Sequence, residues 1–166
     1  MIDIALEQPT DLPAIESLLD AAFGPNRRSK ISYSYRQGIE RIEPLCMIAR
    51  EGGQIVGTIR YWPIVIGRVP ALLLGPIAIR ADRRGDGLGG LLMRTSLARA
   101  AELGHRTVLL VGDEPYYGRF GFRHASEHGI VMPMENPARV LVLSLAAEAS
   151  LPSGQVRPWR SVRRAA

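Results

Sequence analysis

The stretch from Ala71 to Gly112 strings together an apolar run, a glycine-rich turn, an amphipathic run and a second apolar run, and few folds accommodate that order. "ALLLGPIAI" is apolar at nearly every position, as a strand covered on both faces would be. "LGGLLMRTSLARAAEL" has helical spacing, predicting Leu88, Leu91, Leu92, Thr95 and Ala98 inward, Arg94 and Arg99 outward, and Gly104 as C-cap. "RTVLLV" is a further buried strand, and a helix crossing over between two strands makes them parallel. An α/β domain built around a parallel pair is the consequence.

The flanking segments add antiparallel partners. "MIDIAL" reads as a first strand, and "TDLPAIESLLDAAFGP" as a helix with Leu12, Ile15, Leu18, Leu19 and Ala22 on one face, capped by Thr10 or Asp11 and ended by Gly24-Pro25. Ile31, Tyr35, Ile39 and Ile42 predict a further helix between Asn26 and Glu43, weakened by Gly38. "LCMIAR", the turn "EGGQ" and "IVGTIRYWPIVI" form a hairpin; "EPYYGRFGF" is a helical turn and loop, with "GIVMP" and "RVLVLSL" as late strands. Proline cannot donate to a ladder, so Pro76, inside an otherwise central strand, marks a bulge or a break in pairing.

Length and composition permit one such domain. A chain of 166 residues, 46% hydrophobic and 22% charged, buries a sufficient core without disulfides or metals. Cys46 has no intramolecular partner, "MIDIALEQPT" has no signal-peptide character, and "VPALLLGPIAI" is too short for a membrane span, so a soluble cytoplasmic protein with no membrane partner is expected.

The net charge of +5 could attract an anionic partner. Only Lys30 of the 21 basic residues is lysine, however, and abundant arginine and alanine resemble a codon bias as much as a binding surface. The densest cluster, "RPWRSVRR", lies in residues 151–166, expected to be a solvated basic tail behind a domain of residues 1–150. Nucleic acid is disfavoured as a partner on this reading.

The glycine-rich turn carries the chemistry. A strand that ends at Ile79, turns through Arg83 to Gly87 and opens a helix at Leu88 presents unpaired N–H groups and the positive end of the helix dipole, which together bind anions. Without side chains at Gly85, Gly87 and Gly89 a pyrophosphate can approach the backbone, and Arg83 and Arg84 add charge. The spacing is neither G-x-G-x-x-G nor a P-loop.

Here the residues resemble a known family. "Arg84-Gly85-Asp86-Gly87-Leu88-Gly89" matches the arginine-or-glutamine, x, x, glycine, x, glycine signature of the GNAT superfamily of N-acetyltransferases. "Tyr117-Gly118-Arg119-Phe120-Gly121-Phe122" matches that superfamily's tyrosine, three residues, Gly-Phe element. "LGPIAIRADRRGDGLG" and "GDEPYYGRFGF" look most like its YhbS-like bacterial branch.

The resemblance implies a mixed, mostly antiparallel sheet with a splayed parallel central strand pair and flanking helices. It implies acetyl coenzyme A as cosubstrate, no metal, and a small-molecule or peptide amine as acceptor; a homodimer stays open. The coenzyme's diphosphate would lie on Arg84, Gly85, Asp86, Gly87, Leu88, Gly89 and Gly90. Backbone groups of Ile77, Ala78 and Ile79, freed by Pro76, would pair with its pantetheine amides. Tyr117 would protonate the leaving thiolate as general acid, with Tyr116 in the core or at the rim. Many members carry an asparagine after the second core strand, where this chain has Gly112 and Asp113.

No base stands out among Glu40, Glu43, Asp113 and Glu114, and ordered water is an alternative. Arg27, Arg28, Tyr33, Tyr35 and Arg36 fall in the acceptor region implied by the resemblance. Competing readings are a non-catalytic acyl-coenzyme A or nucleic-acid-binding module, the latter through the tail with Trp159, and an acyl-carrying Cys46 within a strand, against which a buried apolar cysteine is favoured. "His124-Ala125-Ser126-Glu127-His128" fits a zinc-protease pattern but leaves no room for the helix such ligands require.

Overall fold

A computed structural model describes residues 1–147 and 150–159. β1 (Ile2–Leu6) leads through a 3-10 turn into α1 (Leu12–Phe23), which buries Ile15, Leu18 and Leu19 and leaves Leu12 exposed. Asp11 stands at the helix N-cap, but its carboxylate accepts the Gln8 N–H at 2.7 Å and pairs with Arg50.

Residues 26–43 are not one helix. They form a 3-10 turn at Arg27–Ser29, one helical turn α2 (Ile31–Ser34) and irregular chain, with Gly38 at φ +73°. Ile31 and Tyr35 pack into one core cluster and Ile42 into another, so the apolar spacing serves two destinations and no single helix face.

The hairpin forms as expected from β2 (Met47–Glu51) and β3 (Gln54–Ile66), with Cys46 just ahead of the strand. β4 (Val69–Ile79), α3 (Leu88–Glu102) and β5 (Thr107–Val111) are the crossover unit, followed by α4 (Glu114–Tyr117), β6 (Arg123–His124), β7 (Ile130–Val131), β8 (Val140–Ser144) and β9 (Gly154–Pro158). The sheet runs β1-β2-β3-β4-β5-β8-β6, with β9 beside β3 and β7. Among the described residues β4 and β5 pair in parallel within the main sheet and β7 and β9 at its margin, all other pairings being antiparallel, so the sheet is mixed and mostly antiparallel.

β9 corrects the expected boundary at residue 150. Val156 is buried, Val156 to Pro158 pair with Ile66 to Ile64, and β2 covers only the first half of the long β3, leaving its second half for β9 to complete. Residues 160–166, which include most of the basic cluster, lie outside the described residues.

Side chains alternate along β4 as the pleat requires. Leu72 and Leu74 face the cluster under α3, while Ala71 and Leu73 face one that includes Trp62 and Val142. α3 turns Leu88, Leu92, Ser96 and Ala100 inward, with Met93 and Leu97 beside them. The predicted face was wrong at Leu91, Thr95 and Ala98, of which Leu91 and Ala98 are exposed. The polar Ser96 sits inward because its hydroxyl bonds the Leu92 carbonyl and the Tyr61 hydroxyl, each at 2.7 Å, pinning α3 to β3. Truncating Leu92 to alanine in so closed a site should cost about 2–5 kcal/mol.

Candidate active site

The site is the space left where β4 and β5 separate. Their ladder consists of Leu72 opposite Val108 and Leu73 opposite Leu109, with no pairing beyond. A cleft of 680 Å³ opens there, walled by Leu74 to Ile77 on one side and Leu110 to Asp113 on the other.

Pro76 does not detach β4 from the sheet, as a break in pairing would. The register with β3 shifts between Tyr61–Leu74 and Ile59–Ile77 and then resumes through Ala78 and Ile79. The bulge is fixed by the Trp62 indole, which donates to the Gly75 carbonyl at 2.6 Å. The open edge of Ile77, Ala78 and Ile79 therefore comes from the divergence of β5. On that stretch the Ile79 carbonyl already accepts Arg84 Nε at 3.2 Å, so it is not free.

At the far end of β4 the glycine turn leads into α3. None of the backbone N–H groups from Gly85 to Gly90 has a protein acceptor among the described residues; the first bond closing the helix is Leu91 N–H to the Gly87 carbonyl, 3.0 Å. Gly85 and Gly87 hold φ of +87° and +80°, and a Cβ added at either would meet nothing within 4 Å. Glycine is needed there for the left-handed backbone, and the open space leaves the donors accessible. Gly89 and Gly90 differ: an added Cβ would stand 2.8 Å from the Tyr116 hydroxyl or 3.1 Å from Arg94 Nη1.

Two side chains that the sequence reading set aside thus border the mouth of α3. Tyr116 brings its hydroxyl over Gly89, and Arg94 folds back over Gly90 with no carboxylate partner among the described ion pairs. Arg83 is by contrast engaged with Glu51 at 2.8 Å and Asp86 at 3.2 Å, so its charge is largely spent within the protein. Arg84 and Arg94 are the cations left for an anion at this mouth.

Tyr117 sits at the opposite wall, its ring edge-on to Tyr116 at 4.8 Å and to Phe122 at 6.3 Å. Burial pushes its phenol up to about 12, with smaller contributions from Tyr116 and Asp113. Gly112 makes this seat possible: a Cβ there would lie 2.3 Å from Tyr117 Cε2.

Of the proposed bases, Asp113 lines the cleft but is held by Arg139 at 3.3 Å, while Glu40 lines a different cavity. Glu135, which no motif or spacing singles out, is the other carboxylate in the cleft wall. Arg27, Tyr33 and Arg36 border the cleft; Tyr35 is buried in the core, and Arg28 is exposed and paired with Glu16. Burial pushes the Cys46 thiol up to about 11, the wrong direction for a nucleophile. His124 closes a strand and Ala125–His128 form a 3-10 turn; among the described residues no group of three or more His, Cys, Asp or Glu could hold a metal. Within the same residues no helix is long and apolar enough to cross a membrane.

Proteins of known family share the sequence and the fold of this chain. The acetyltransferase (GNAT) domain model matches residues 3–125. The chain belongs to the GNAT family of acetyltransferases. It is 29% identical to the N-acetyltransferase YhbS of Escherichia coli over 130 residues, 76% of this chain and 77% of that one. A crystal structure of YhbS in complex with coenzyme A superposes with a TM-score of 0.84 at 26% identity, covering 98% of this chain and 92% of that one. A GNAT acetyltransferase from Brucella melitensis in complex with acetyl coenzyme A superposes at 0.72 with 30% identity, covering 95% of both chains.

Proposed function

We propose that this GNAT acetyltransferase moves the acetyl group of acetyl coenzyme A to a primary amine by direct attack, with Tyr117 as general acid. The observation that carries the reading is the row of unpartnered N–H donors from Gly85 to Gly90, beside Tyr116, whose hydroxyl stands over Gly89 and whose ring lines the cleft together with a half-buried, protonated Tyr117. Coenzyme A complexes of relatives that share the fold support it.

The residues present fit the coenzyme. Its diphosphate matches the bare mouth of α3, where donors, dipole, Arg84 and Arg94 converge and Gly85 and Gly87 leave room. Its extended amide-bearing arm matches the β4 edge that β5 leaves uncovered. When bound it supplies a thioester, with the carbonyl as electrophile and the sulfur as leaving group.

The chain's own part is positioning and proton supply. A phenol held near 12 keeps its proton throughout the neutral range, so Tyr117 enters the reaction as a donor. Asp113 is tied to Arg139, which leaves Glu135 and solvent to take the acceptor's proton. The test is coenzyme A release from acetyl coenzyme A with a panel of amines: Tyr117→Phe should lower kcat about 10²-fold or more with coenzyme affinity unchanged. Equal turnover by that variant would remove Tyr117 from the mechanism.

A further inference from the structure

We infer that the acceptor is an amine that also carries a carboxylate, and that Arg36 receives that carboxylate at the β4 bulge; this rests on the acetyltransferase reading above. Arg36 lines the cleft, and its Nη2 would lie 3.0 Å from a Cβ added at Gly75, the residue before Pro76. The guanidinium thus lies beside the widening of β4 and β5, on the wall that faces Tyr117 across the cleft. Arg36 Nε is sealed from solvent and has no hydrogen-bond partner, and no carboxylate pairs with the side chain among the described residues.

The neighbouring charges sharpen the point. Arg27 takes Glu16 and Asp20, and Arg60 takes Glu7 in a two-bond pair and lies 3.6 Å from Glu16; Glu7 also serves Arg41. Glu7, Glu16 and Asp20 are therefore already engaged, and among the described ion pairs Glu135, the unpaired carboxylate of the cleft, makes none with Arg36, while Arg27 and Arg60 repel the Arg36 charge. Lys30, also in the cleft wall, lies over the Phe23 ring at 4.6 Å with no carboxylate partner. Burial, opposed by Tyr33 and aided by smaller repulsions from those two arginines, pulls the Arg36 guanidinium down to about 10.

A buried cation without a counter-ion is costly, and fold stability gives no reason to keep one. A carboxylate brought in by the ligand removes the cost, and the planar fork of arginine matches it with two parallel bonds. The thioester carbonyl is uncharged, so the coenzyme's reactive end does not supply the missing charge. Because Arg36 lies at the bulge, the carboxylate and the attacking nitrogen must be close together in the acceptor, as they are in an α-amino acid.

The experiment compares matched acceptors. Free α-amino acids, their carboxamides, and amine phosphates such as O-phosphoethanolamine are offered with saturating acetyl coenzyme A, and coenzyme A release is followed for the wild type, Arg36→Gln and Arg36→Lys. The expected result is turnover of a free amino acid at least 10²-fold better in kcat/KM than its carboxamide. Arg36→Gln should erase that preference, Arg36→Lys should restore part of it, and neither should change coenzyme affinity by calorimetry. The melting temperature of Arg36→Gln should not fall, because the variant loses an uncompensated charge. Equal use of carboxamides, preference for a phosphate, or an Arg36→Gln enzyme with unchanged discrimination would overturn the inference. Turnover of nothing in the panel by a protein that still binds acetyl coenzyme A would overturn it alone, whereas no coenzyme binding would overturn the acetyltransferase mechanism as well.

Discussion

Replacing Gly112 by alanine tests the site without touching any group assigned to the chemistry. The added Cβ would stand 2.3 Å from Cε2 and 2.8 Å from Cδ2 of Tyr117, where non-bonded carbons prefer about 3.5–4.0 Å. The Tyr117 ring must therefore retreat by about 1 Å or more. Gly112 is not among the residues with positive φ, so alanine meets no backbone strain there and the ring takes the perturbation. A misplacement of that size costs about 10²-fold in rate, or about 2.7 kcal/mol of barrier. Overpacking beside β5 should cost about 1–3 kcal/mol of stability, which thermal unfolding would register without loss of the fold. In a coenzyme A release assay Gly112→Ala should mimic Tyr117→Phe in kcat while binding acetyl coenzyme A normally. Adding it to a Tyr117→Phe background should lower kcat little further, since the displaced hydroxyl is already gone. A Gly112→Ala enzyme within twofold of wild-type kcat would show that the position of the Tyr117 ring is irrelevant to turnover.

Other expectations follow from the same geometry. Gly87→Val places a β-branched residue at φ +80° in the turn and should weaken coenzyme A binding at least tenfold by calorimetry; unchanged affinity would argue against a diphosphate at the α3 mouth. Arg84→Ala and Arg94→Ala should each raise the Kd several-fold, with the difference shrinking as salt is added, because both cations are exposed. Cys46→Ala should retain kcat, and the wild-type thiol, held up at about 11, should resist alkylating reagents at pH 8 in the folded protein. Since the Tyr117 phenol is raised to about 12, kcat should rise with pH as the acceptor amine loses its proton and show no falling limb from Tyr117 below about pH 10. A falling limb below that pH that disappears in Tyr117→Phe would contradict the assignment.

The elements that set the topology were legible because their signals are local. Glycine at Gly85 and Gly87, a long amphipathic run and two apolar runs determine a βαβ unit whatever surrounds it. Residues 26–43 misled for the opposite reason: Ile31, Tyr35 and Ile42 are spaced like a helix face, yet the first two pack into one core cluster and Ile42 into another, and periodicity cannot see destination. β9 was missed because its strand of two apolar residues in five looks like tail, and its pairing with β3 joins residues some ninety positions apart. The inward face of α3 was shifted because Ser96, polar by type, is satisfied by Tyr61 and so belongs inside.

The site shows the same division between local and distant causes. Tyr117 and the turn glycines were found as motifs, whereas Arg36, Arg94 and Gly112 acquire meaning only from neighbours. Arg36 lies among arginines in sequence as one charge of many. It is distinguished by what Arg27 and Arg60 have already taken: with Glu7, Glu16 and Asp20 engaged, the bulge at Gly75 holds the guanidinium whose countercharge the protein does not provide. Trp62 reinforces this, because its indole already donates to the Gly75 carbonyl, the backbone acceptor at the bulge. Main-chain amides at the mouth of α3 and an arginine at the bulge are the two anion sites that the proposals above require, and the half-buried Tyr117 phenol of the cleft is the proton donor they assign.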